Sequence, residues 1–107
     1  MAERAIVESI KKFVETLKKI GINVDRVILY GSCAKGEPKP ESDIDLAIVS
    51  RDFGKDPIEE RMSLFRIAGG IDPRIEPVAL SLISYENDTW LPLIYEIRTK
   101  GVELKVT

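Results

Sequence analysis

Apolar residues at Ile6, Ile10, Phe13, Leu17 and Ile20 recur at alternating intervals of four and three, the stripe of an amphipathic helix. Lys11, Lys12, Lys18 and Lys19 fall on its other faces or in its last turn, and Gly21 is placed to end it. Arg26 to Tyr30 is a short β-branched and aromatic run closed by Gly31, which predicts a strand. Gly31 to Gly36 then reads as a turn leading into a brief helical segment. Glu37 to Ser42, with Pro38 and Pro40, reads as a loop. Asp43 to Ser50 is a second predicted strand, with Ile44, Leu46 and Ile48 on one face and Asp43 and Asp45 on the other.

Asp56-Pro57-Ile58-Glu59 has the form of a helix start: an Asp N-cap, Pro at the first helical position and Glu at the third. Ile58, Met62, Phe65 and Ala68 supply the expected buried stripe, and Gly69-Gly70 the stop. Arg74 to Leu82 predicts a third strand, at an edge or in an irregular ladder because Pro77 cannot donate. A last helix is expected over Trp90 to Thr99, capped by Asp88 or Thr89, with Pro92 in its first turn. Gly101 closes it, and Val102 to Val106 alternates as a fourth strand. No internal repeat or low-complexity segment interrupts this order. It predicts an α/β (α+β) class, one sheet with helices packed on it.

The 107 residues suit a single domain, residues 1–107, and 44% hydrophobic with 32% charged residues describe an ordinary globular chain. No apolar run approaches a membrane span, and Glu3, Arg4 and Glu8 interrupt any leader-like start. One cysteine forbids an internal disulfide and fits a reducing, cytoplasmic setting. Sixteen Lys and Arg against eighteen Asp and Glu leave a formal charge of −2. That balance argues against broad attraction to nucleic acid. Histidine is absent, so imidazole bases, Ser-His-Asp triads and His-ligated zinc are excluded. The chemistry must come from carboxylates, hydroxyls, lysine, tyrosine, backbone amides or an oxygen-ligated metal. Cys33 has no histidine to activate it and reads as a small loop residue.

Two segments carry the chemistry. In Asp43-Ile44-Asp45 the two aspartates project from one strand face, roughly 6.5–7 Å apart. Together they repel unless a cation joins them, and Mg²⁺ accepts such oxygen ligands along with waters and phosphates. Two ions so held form a clamp for displacement at phosphorus. In Gly31-Ser32 the glycine permits a tight turn whose amides can cradle an anion, and the Ser32 hydroxyl adds a donor. Lys35 could reach a triphosphate tail or be a solvated lysine, and Ser42 could orient the Asp43 backbone. Trp90, Tyr85 and Tyr95 are expected in or near the core. Arg61, Arg66 and Arg74 are expected as surface charges, Arg74 the nearest of them to phosphate because it precedes Glu76.

Gly31-Ser32-x-Ala34-x-Gly36 followed by Ser42-Asp43-x-Asp45-Leu46 resembles the signature of the nucleotidyltransferase family in the DNA polymerase beta superfamily. The short length and the trailing Glu96-Ile97-x-x-x-Gly101-Val102-x-Leu104 are similar to its minimal nucleotidyltransferase branch. The resemblance implies the nucleotidyltransferase fold, a four-stranded mixed sheet with helices packed on it. It implies catalytic and Mg²⁺-binding roles for Asp43, Asp45 and, as third carboxylate, Glu76, with two ions expected. It also implies nucleotide contacts from Gly31 and Ser32, beside which Lys35 and Ser42 stand as further candidate nucleotide-binding residues. Cys33 stands where arginine is frequent in the branch, and Glu76 where aspartate is usual. The implied reaction moves AMP from ATP to an acceptor hydroxyl and releases pyrophosphate. The branch resembles the antitoxin half of a pair whose all-helical HEPN toxin is modified on tyrosine, so a HEPN-type partner and a hetero- or homo-oligomer are expected. Neither membrane nor direct nucleic-acid binding is expected. A binding antitoxin without useful catalysis, and a small-molecule transferase of the aminoglycoside-modifying sort, stand as alternatives.

Overall fold

A computed structural model describes residues 4–31 and 43–105. Its elements run α1 (Arg4–Lys19), β1 (Arg26–Tyr30), β2 (Ile44–Ser50), α2 (Pro57–Gly69), β3 (Ile75–Ser81), α3 (Leu82–Asn87), α4 (Pro92–Lys100) and β4 (Val102–Leu104). The four strands form one sheet in the order β3-β2-β1-β4. β1 is antiparallel to both β2 and β4. β2 and β3 are parallel, joined by a crossover through α2. The sheet is therefore mixed, as the resemblance implied.

Helices cover both faces. Val27, Leu29, Ile44, Leu46, Ile48 and Ile75 pack against Ile6, Ile10, Phe13, Val14 and Leu17 of α1 and Leu64 and Ala68 of α2. The opposite face brings Ile28, Tyr30, Ala47 and Val49 against Tyr85 of α3 and Ile97 of α4. Central β2 is thus buried on both sides, and the half-buried Asp45 is the polar exception near its start. Among the described residues β3 pairs on one side only, so Pro77 sits where its missing donor is tolerated. Gly101 separates α4 from β4 at a tight spot: a β-carbon there would meet the Ile28 side chain and the Ile97 carbonyl.

Several expectations needed correction. Ile20 is 57% exposed and lies past α1. The helix ends in a Schellman turn, Ile22 N–H donating to the Leu17 carbonyl and Gly21 N–H to that of Lys18. The apolar place at the end of the stripe passes to Ile22, which packs on the core. On α2 Ala68 is buried as expected, but its partner there is Leu64, while Ile58 (75%), Met62 (52%) and Phe65 (47%) are exposed. Two apolar stripes lie about 120° apart around that helix, and the sheet takes the one that continues into Ile67 and Ile71. Asp56 caps α2 by accepting from Glu59 N–H. The reciprocal carboxylate is Glu60 rather than Glu59, accepting from the Gly54, Lys55 and Asp56 amides.

The region after β3 holds two helices rather than one. Ser81 caps α3 through its hydroxyl, so Leu82 belongs to a helix and not to the strand. Asp88 ends α3, its carboxylate accepting from Ser84 Oγ. Pro92 opens α4 behind Leu91, with no side-chain cap from Asp88 or Thr89. Tyr85 is buried as expected, whereas Trp90 and Tyr95 are exposed. β4 is described as Val102–Leu104, and Val106 lies outside the described residues. No helix among the described residues is long and apolar enough to cross a membrane.

Candidate functional site

Because β1 runs against β2 and β3 runs with it, the end of β1 and the starts of β2 and β3 meet at one rim of the sheet. Across that rim Tyr30, Asp45 and Glu76 are direct neighbours in register on three adjacent strands. Side chains opposite one another share a face, so Asp45 stands between the phenol and the second carboxylate. Asp43, two residues earlier, projects from the same face and hydrogen-bonds with Glu76. The two predicted aspartates and the predicted third acid are thereby brought together by strand pairing alone.

Gly31 closes the rim. Its φ is +73°, a left-handed conformation, and a β-carbon there would run into the Asp45 carboxylate. Glycine is required both for the turn and for the space that Asp45 occupies. Ser32, Lys35 and Ser42, with Cys33 and the expected short helix and loop, lie outside the described residues.

The rim is electrostatically loaded. Burial pushes the Asp45 carboxyl above the ordinary carboxylate range, helped by repulsion from Asp43 and from Glu96 of α4. Glu76 is likewise raised, by burial first and then by Asp43 and Asp45, with Arg61 of α2 opposing. Burial and the surrounding acids push Tyr30 up to about 12, Asp45 contributing most among them, so its hydroxyl keeps its proton at neutral pH. The sequence reading gives Tyr30, Arg61 and Glu96 no place in the site: Tyr30 is a strand residue there, Arg61 a surface charge and Glu96 part of the family-like C-terminal run. Tyr30 could have been found by pairing the residue before Gly31 with Asp45, but Arg61 and Glu96 needed the packing of α2 and α4. Arg74, expected nearest to phosphate, is instead engaged by Asp72, at 2.8 Å. Its backbone and guanidinium both donate to that carboxylate.

An all-oxygen donor set with more negative than positive charge fits a hard divalent cation. Among the described residues no three acids converge into a closed metal cage. A cation held here by one or two of these carboxylates would have to complete its shell with other oxygen ligands, such as water or substrate phosphates.

Comparison with known proteins agrees with this geometry. A family model described as the nucleotidyltransferase domain matches residues 7–101. A Methanocaldococcus jannaschii protein named "putative protein adenylyltransferase" is 30% identical over 99 residues, covering 92% of this chain and 95% of that protein. Two crystal structures share the fold. One is described as a "putative nucleotidyltransferase" from Sulfolobus solfataricus (TM-score 0.63, 21% identity, 90% of this chain and 76% of that one). The other is a toxin-antitoxin with AMP-PNP (TM-score 0.62, 24% identity, 91% and 73%). A sheet rim gathering paired aspartates beside an obligatory glycine turn, on a chain matched over nearly its whole length, places this protein in the nucleotidyltransferase domain family.

Proposed function

We propose that the protein transfers AMP from ATP to a hydroxyl of a protein acceptor, a tyrosine of a HEPN-type toxin, and so acts as its antitoxin. The observation that carries this reading is the Tyr30–Asp45–Glu76 row with Asp43 against Glu76. It provides acids for cation and proton chemistry at a rim where Gly31 opens a turn. The family relationship, and a relative named as a protein adenylyltransferase, support the reaction class and the acceptor class.

In this mechanism Asp43 and Asp45 would hold Mg²⁺, with Glu76 as the third carboxylate. Bound there, the ion would neutralise the acids and polarise the phosphate under attack. Glu76 takes the proton of the acceptor hydroxyl. The hydroxyl oxygen bonds to the α-phosphorus, the bond to the β-phosphate oxygen breaks, and pyrophosphate leaves with that electron pair. Such proton removal contributes roughly 10²–10⁴-fold. Arg61 tempers the negative charge on Glu76. Tyr30, protonated and buried beside Asp45, fixes the position of that carboxylate without competing as a charge. Gly31, with Ser32, Lys35 and Ser42 as the further expected contacts, would hold the triphosphate.

The test is ATP labelled at the α-phosphate, incubated with Mg²⁺, the protein and a HEPN-type toxin. Label should move to a partner tyrosine and be lost with Asp45→Asn. Absence of transfer, or transfer surviving that substitution, refutes the proposal.

A further inference from the structure

A groove of about 390 Å³ lies at the free edge of the sheet, lined by Pro57, Ile58, Arg61 and Met62 of α2 and by Val78 and Ala79 of β3. It wraps the edge of the sheet beside the reaction rim: Val78 follows Glu76 by two residues and shares its face, while Ala79 belongs to the face on which α2 packs. Arg61 borders both groove and rim, its charge acting on Glu76 and Tyr30. The groove is therefore apolar along its walls and cationic at one side, with Glu76 two residues before Val78 on the same strand face.

From this arrangement we infer that the groove between α2 and β3 seats the acceptor: a tyrosine ring lies against Ile58, Met62 and Val78 with its hydroxyl directed to Glu76, while apolar neighbours of that tyrosine cover Phe65. The inference rests on the protein-adenylylation reading and names the surface that would serve it. Each wall matches one part of such an occupant. A guanidinium attracts the face of an aromatic ring, and a thioether makes favourable contacts with its edge. The ring end that carries the hydroxyl is the end that meets acids. The exposed stripe Ile58, Met62, Phe65 spans roughly 10 Å along the helix and carries the apolar surface past the groove to Phe65, beyond what one side chain covers. A small polycationic acceptor would leave this apolar surface uncovered and would meet Arg61 with like charge. A protein segment with apolar residues beside its tyrosine covers the surface and is not repelled.

The test uses the full-length protein and a short synthetic peptide with one tyrosine between leucines, plus the same peptide with alanine in place of tyrosine. Amide chemical shifts locate binding without requiring turnover. The tyrosine peptide should move resonances of Ile58–Met62 and Val78–Ala79, and bind at least fivefold more tightly than the alanine peptide. Met62→Glu and, separately, Phe65→Ser should weaken it tenfold or more while the dispersed amide spectrum shows each variant folded. Shifts elsewhere, no binding, or indifference to both substitutions overturns the inference. So does sedimentation showing a dimer that Met62→Glu dissociates, since a second copy would then occupy the stripe. Peptide seated in the groove but never adenylylated upholds the docking surface and instead refutes the acceptor chemistry proposed above.

Discussion

Replacing Gly31 by alanine strikes the backbone and the candidate site at once, and the two effects can be separated. A β-carbon at φ +73° costs about 1–2 kcal/mol in a left-handed conformation. The smaller entropy of the unfolded chain returns about 0.4–1 kcal/mol of that. The new methyl also occupies the place of an Asp45 carboxylate oxygen. The side chain must leave its rotamer, at about 0.5–1.5 kcal/mol, or the turn must shift. A net loss near 1–2 kcal/mol lowers Tm by roughly 5–10 °C in a domain of this size, so the variant folds. Displacing a metal-binding carboxylate should weaken Mg²⁺-dependent AMP-PNP binding and AMP transfer by at least about 10–100-fold. Gly54→Ala is the control. Its φ is +112° and its β-carbon would stand 3.1 Å from that of Ser81, among residues with no part in the rim. It should lower Tm comparably and leave nucleotide binding intact. Calorimetric titration with AMP-PNP and Mg²⁺, beside thermal melts of both variants, decides the matter. Wild-type binding by Gly31→Ala, or equal loss of binding by both, refutes the assignment.

The α2 packing predicts opposite outcomes for adjacent residues: Leu64→Ala should cost about 2–4 kcal/mol and Phe65→Ala under about 1, read as denaturant midpoints. Asp72 is held at about 2, chiefly by its Arg74 hydrogen bond. A depressed folded value contributes stability above the unfolded pKa, 3.8, that disappears as pH falls towards 2. Full conversion is about 2 kcal/mol; screening at a partly open pair reduces it to about 1 kcal/mol. Arg74→Met should remove the corresponding acid-limb change from the pH dependence of unfolding. Asp45 has the reverse sign. Its raised folded value means that stability falls as pH rises through the carboxylate range, so without divalent cation Asp45→Asn should melt a few degrees above wild type. Mg²⁺ should raise the Tm of wild type and leave that of the variant unchanged.

Strands were legible where apolar runs met glycine or aspartate, and Pro77 correctly marked an edge. The second stripe of α2 was not, because Ile58, Met62 and Phe65 satisfy helical spacing as well as Leu64 and Ala68 do. Only docking on the sheet chooses between them. The helix α3 escaped notice because six residues give less than two turns of periodicity, and its cap, Ser81, ends the preceding strand. In the site, the acids and the glycine were legible as residue types at a spacing. Their shared row was not, since it depends on β2–β3 register. Arg74 misled because strand alternation is blind to a nearby carboxylate, and Asp72 captured it.

Asp45 and Glu76 become neighbours only when β2 and β3 pair across the α2 crossover. Until that long-range closure occurs, the nascent chain has no acidic cluster, and like charges resist the closure as it forms. Catalytic competence therefore waits on that closure. Magnesium in the refolding buffer should accelerate refolding if this pairing belongs to the rate-limiting barrier, and slow unfolding alone if it forms afterwards.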